Sequence, residues 1–202
     1  MKTNALSVAN YFIDLAKEEG EPIQLLGLVK RVYIAHGFAL ALLGHGLLDP
    51  RFDKVEAWKY GPVIPSVYHS FKQNKAKPIT EKAVVLELDK NDQEIFPMPS
   101  LDKKENKDEI AVVKMVWERY KSFSGGELVS LTHEKGTPWQ FLFLYSLFKF
   151  FCSYYFNLGK LSSSTVPGSL ITKHSFPDFF KHKLPKTRNA TSTIGRNIPI
   201  RI

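Results

Sequence analysis

Cysteine is nearly missing from this chain: Cys152 stands alone among 202 residues. One thiol excludes an internal disulfide and any CxxC metal knuckle, so the chain reads as cytoplasmic, without a disulfide framework. No glycine-rich phosphate cradle occurs, and Gly125-Gly126 reads as a turn at a helix cap. Ser66 and Ser130 lack the GxSxG setting of a nucleophile elbow. His36, His45, His69 and His133 are scattered, with no HExxH or HxxxH spacing on one helix. The first twenty residues, MKTNALSVANYFIDLAKEEG, are amphipathic and lack the unbroken apolar core of a signal peptide. Acids are also scarce where the chain ends. Residues 141–202 hold nine Lys and Arg against the single acid Asp178, whereas residues 1–140 hold 19 bases against 19 acids. The entire net charge of +8 therefore belongs to the tail, and nucleic acid is a poor partner for a charge-balanced 1–140.

The apolar content, 44%, is that of a folded globule. Ala5, Val8, Ala9, Phe12, Ile13 and Ala16 recur at three- and four-residue steps and predict a helix, started by Thr3 or Asn4 and stopped by Gly20 before Pro22. A second helix is expected from Ile23 or Gln24 to Leu43, with a stripe of Leu25, Leu28, Val29, Val32, Ala35 and Ala39. Gly27 and Gly37 interrupt it and suggest close packing against a neighbour. Asp49-Pro50 marks a turn, and Val55 to Trp58 a short strand. Pro65 suits the first turn of a helix over Ser66 to Asn74. Another strand is expected from Ala83 to Leu88. A long helix follows from Asn106 or Lys107 to Tyr120, burying Ile110, Val113, Val116 and Trp117. Ser124 with Glu127 forms a capping box for a short helix through Leu131. The fold class is mainly α (α+β): a compact helical domain over residues 1–140 with a small β-hairpin or short strands.

Residues 141–202 break this style. FLFLYSLFKFFCSYYFNLG, 141–159, is crowded with aromatics, and a basic segment follows it. Lys149 near its middle costs about 2.5–3.5 kcal/mol at a bilayer centre, which argues against a membrane span. An ordinary hydrophobic C-terminal helix is the blander alternative. The abrupt joint change of composition and charge favours a frameshifted or recently fused, disordered tail.

VANYFIDLAKEEG, LVKRVYIAHGFALALLGHGLL, EAWKYGPVIPSVYHSFK and LVSLTHEKGTPW occur in that order. Together they resemble the Panacea domain, the SocA-like antitoxin family also labelled phage-associated protein, over roughly residues 5–140. AWKYGPV and LTHEKGTPW are the specific blocks. Gly27 departs from the family pattern, where a long helical residue is commoner, and the similarity stops after Trp139. The resemblance implies a largely helical α+β domain that serves as the antitoxin of a toxin–antitoxin pair. Such a domain neutralises a cognate toxin by direct protein binding, and in one branch of the family acts as a proteolytic adaptor for a Clp-type protease. The residues themselves show no chemistry that would need them, so no enzyme, no cofactor and no catalytic residue is expected.

Within those blocks Trp58, Lys59, Tyr60, Gly61, Pro62 and Pro65, with Thr132, His133, Pro138 and Trp139, are the candidate partner-binding residues. Large aromatic rings with polar tips suit interface anchors, and the prolines reduce the entropy lost on binding. Against this stands the plainer reading that Trp58 plugs the core and Gly61-Pro62 only turns the chain. Two competing functions stay open here. A metal-dependent hydrolase would gather His36, His69 and His133. A DNA-binding regulator of its own operon would use Lys72, Lys75 and Lys77 on a helix from Ser66 to Lys77, or the basic tail. Asp49, Asp53 and Glu56 are close enough in sequence to pair for glycosidic work, but a loop with three acids reads as solvated, and a cationic His133 would suit the end of its short helix.

Overall fold

The computed structural model describes residues 3–140. The sequence expectations for 141–202 lie outside the described residues. Helix α1 (Ala5–Glu19) starts in a capping box between Asn4 and Ser7, and Gly20 closes it at φ 70°. Helix α2 (Leu25–Leu42) follows, then an antiparallel hairpin of β1 (Glu56–Trp58) and β2 (Gly61–Val63). Helix α3 (Pro65–Phe71) has Pro65 in its first turn and runs into a single 3₁₀ turn, Lys72–Asn74. A two-residue ribbon, β3 (Glu87–Leu88) with β4 (Glu94–Ile95), precedes α4 (Lys107–Tyr120) and α5 (Gly125–Thr132). This mainly α architecture with two small ribbons is the expected α+β class.

Helix α2 is the axis of the domain. It packs against α1, α3, α4, α5 and β2. Its expected stripe is too narrow, because Tyr33, Ile34 and Phe38 are buried as well, on the other side of the helix. A helix apolar all round must be surrounded. By length and composition α2 would suffice to cross a membrane, but two thirds of it is buried inside this domain. Phe12 and Ile13 from α1, Ile64, Val67 and Phe71 around α3, Val113, Val116 and Trp117 from α4, and Leu128 from α5 close over it. Each such side chain contributes about 1.5–3 kcal/mol on burial.

Two cations interrupt this apolar helix, and both are buried. Arg31 Nη2 donates to the carbonyls of Tyr120 (2.7 Å), Lys121 (3.1 Å) and Phe123 (2.9 Å). Tyr120 and its cap Lys121 end α4, where a cation also meets the negative end of the helix dipole, and Phe123 lies in the turn just beyond. Gly27, one turn earlier, leaves the guanidinium its space, since a Cβ there would stand 2.5 Å from Arg31 Nη1. Lys30 is taken up with the site below.

Three expectations are corrected. The strand expected at Ala83–Leu88 shrinks to Glu87–Leu88, because the Asn10 side chain captures Ala83 on both sides, accepting from its N–H (2.8 Å) and donating to its carbonyl (2.9 Å). The helix expected to Asn74 ends at Phe71, and Lys75 takes φ 51°, so Lys72, Lys75 and Lys77 do not share a helix face. The acidic loop is not simply solvated. Asp53 is buried, and its carboxylate accepts from Ala5 N (2.8 Å), Asp49 N (3.0 Å) and Ser66 Oγ (2.8 Å). It thus ties α1, the loop after α2, and α3 together.

Candidate partner-binding groove

The two blocks singled out in the sequence, Trp58–Pro65 and Thr132–Trp139, meet in space. Trp139 Nε1 donates to the Trp58 carbonyl at 3.2 Å across 81 residues of chain. Beneath the hairpin, Lys30 reaches out of α2 and donates to the Pro62 carbonyl at 2.8 Å. Gly61 turns the hairpin at φ 94°, a conformation that side chains other than glycine rarely adopt. It also has no room for a Cβ, which would lie 2.8 Å from Lys30 Nζ and 3.0 Å from Thr132 Oγ1. One glycine therefore lets the hairpin, the core lysine and the end of α5 close on one another.

The candidate residues divide by exposure. Gly61, Pro62, Thr132, Pro138 and Trp139 are buried, and Trp58, Pro65 and His133 are half-buried. Trp58 donates from Nε1 to Glu56 at 2.7 Å and meets the Tyr68 ring edge-on at 4.9 Å. Thr132 bonds back to the Val129 carbonyl inside α5. Lys59 and Tyr60 form the tip and face solvent, Tyr60 at 64% exposure, with the ammonium 5.5 Å from the ring. The plain structural reading thus fits the buried members, and Lys59 and Tyr60 are the most open of the ten.

His133 corrects an expectation. It does cap the end of α5, but its ring lies 3.8 Å from that of Trp139, and burial together with nearby Lys30 holds its pKa below the usual histidine value. Desolvation and a like charge outweigh the helix dipole, so the neutral ring is favoured. Lys30 itself is fully buried, and burial lowers its pKa to about 7. Sequence reasoning missed it. The available signal was a lysine in a helix whose apolar residues occupy every side.

Beside the hairpin lies a groove of about 450 Å³. Leu25, Leu26 and Val29 of α2 and Tyr68 of α3 supply much of its apolar wall, and Lys30, Lys59 and Lys75 reach it as well. The histidines are engaged elsewhere. His36 Nδ1 accepts from Leu47 N at 3.0 Å, His45 pairs with Glu109 at 3.1 Å, and His69 meets the Tyr68 ring edge-on. Among the described residues no three His, Cys, Asp or Glu side chains gather closely enough to hold a metal ion.

The two sequence blocks thus build one braced hairpin, with the groove beside it. By sequence comparison, residues 28–140 match the family described as Antitoxin SocA-like, Panacea domain, and the chain belongs to that family. The Antitoxin SocA of Caulobacter vibrioides (strain NA1000 / CB15N) is 34% identical over 136 residues, covering 67% of this chain and 68% of that protein. No solved structure matches the chain. The family assignment made from AWKYGPV and LTHEKGTPW therefore holds.

Proposed function

We propose that this protein is the antitoxin of a toxin–antitoxin pair, and that it neutralises its cognate toxin in the cytoplasm by direct, non-covalent binding at the Lys59–Tyr60 tip and the adjoining groove. The observation that carries this reading is the way the hairpin is braced from inside by Lys30 and Trp139 while its tip stays exposed. A stiff loop with a large amphipathic ring loses little entropy on binding, which favours affinity. Membership of a SocA-like antitoxin family supports the role, and with it a regulatory rather than a catalytic protein. Delivery of the captured toxin to a Clp-type protease is a natural extension of the same contact.

The test is co-expression with the product of the gene encoded beside it, with growth and co-purification as readouts. The double variant Lys59→Ala/Tyr60→Ala is expected to bind the toxin at least tenfold more weakly with its thermal midpoint unchanged. Full rescue of growth by that variant would overturn the placement of the contact. Failure of the unaltered chain to rescue would overturn the antitoxin reading itself.

A further inference from the structure

The groove is lined by bases and by no acid. Residues 1–140 balance 19 bases against 19 acids, yet three lysines, Lys30, Lys59 and Lys75, line this one depression and no Asp or Glu does. Two lysines outside the groove are tied into ion pairs, Lys82 with Asp14 at 2.7 Å and Lys121 with Glu19 at 2.8 Å and Glu118 at 2.9 Å. Among the described residues no carboxylate pairs with the three groove lysines. Glu56, the acid on the hairpin, is engaged by Trp58 Nε1. Lys59 and Lys75 stand exposed and supply the charge, whereas Lys30 is enclosed and bound to the Pro62 carbonyl.

Between these cations the surface is apolar. Leu25, Leu26 and Val29 form one wall and Tyr68 and Val63 another, with Leu26 41% exposed. A space of about 450 Å³ lies within the size range of pockets that hold a compact ligand or a few side chains. Resting on the antitoxin reading, we infer that the groove receives a segment of the partner that carries one or more carboxylates beside a large apolar side chain. The apolar side chain fills the depression, and the carboxylate sits between Lys59 and Lys75 with Lys30 beneath. The chain's own residues 141–202, with nine bases to one acid, carry the wrong sign for this seat.

The experiment displays random decapeptides to the full chain and then measures the best binder by fluorescence anisotropy. Enriched peptides are expected to be net acidic and to contain Leu, Phe, Tyr or Trp. Replacing the acids of the best peptide by Asn and Gln should weaken binding at least tenfold. The exposed pair Lys59→Glu/Lys75→Glu, checked for an unchanged circular dichroism spectrum, should do the same. Neutral or basic enriched peptides, an amide counterpart within twofold, or no binder at all would overturn the inference. So would a dimer in sedimentation whose formation depends on Lys59 and Lys75, because the occupant would then be a second copy. Toxin neutralisation separates the two proposals. A Lys59→Glu/Lys75→Glu chain that still neutralises leaves the antitoxin role standing and removes the charge-based recognition.

Discussion

Replacing Lys30 by methionine keeps the length of the buried side chain and removes its charge. Burial lowers the lysine pKa from 10.5 to about 7. A separation of that size corresponds to about 5 kcal/mol between the two protonation states. The unfolded chain holds the proton up to about pH 10.5, the folded chain only to about pH 7, so unfolding takes up a proton in that window. Stability therefore rises with pH there, by about 2 kcal/mol between pH 7 and pH 9 for this one group. His133 has its pKa lowered and stays neutral, and Arg31, lowered to about 10, still holds its proton, so neither adds a slope in this range. The variant also strands the Pro62 carbonyl, a loss of about 1–3 kcal/mol at every pH. Urea denaturation followed by circular dichroism at pH 7, 8 and 9 should show the unaltered protein gaining about 2 kcal/mol on the variant. Stability curves that run parallel across this range would refute the reasoning, because Lys30 would then be charged in the fold throughout.

Asp53→Ala leaves three donors without their acceptor and should cost about 3 kcal/mol in urea denaturation, with Asn at that position recovering part of it. His36 has its pKa lowered to about 4 by burial, against an opposing pull from Asp53, so folding loses stability on acidification from about pH 6.5 to pH 4. The expected loss is about 3 kcal/mol, and His36→Gln should flatten that slope. Gly61→Ala forces both a left-handed backbone and a Cβ against Lys30 and should lower stability by about 1–3 kcal/mol in the same assay.

Helices α1, α4 and α5 were readable in detail because their signals are local. Asn4 and Ser124 cap, Gly20 stops, and Ile110, Val113, Val116 and Trp117 repeat on one face. The strand at Ala83 failed because a distant side chain, Asn10, offered its backbone better partners than a neighbouring strand did. Asp53 was read as solvated for the same reason, since its three donors come from three separate segments. The site was half legible. Both blocks stand out by composition, yet nothing in either names the other or Lys30.

By itself the sequence determined the family, the helical class and the ends of α1, α4 and α5, since these depend on residues within a turn or two of each other or on ordered blocks. Only the tertiary structure decided that the two blocks join, which of their residues face solvent, and that a lysine lies buried beneath them. Those facts depend on contacts across 32 and 81 residues of chain, whose geometry no local pattern encodes.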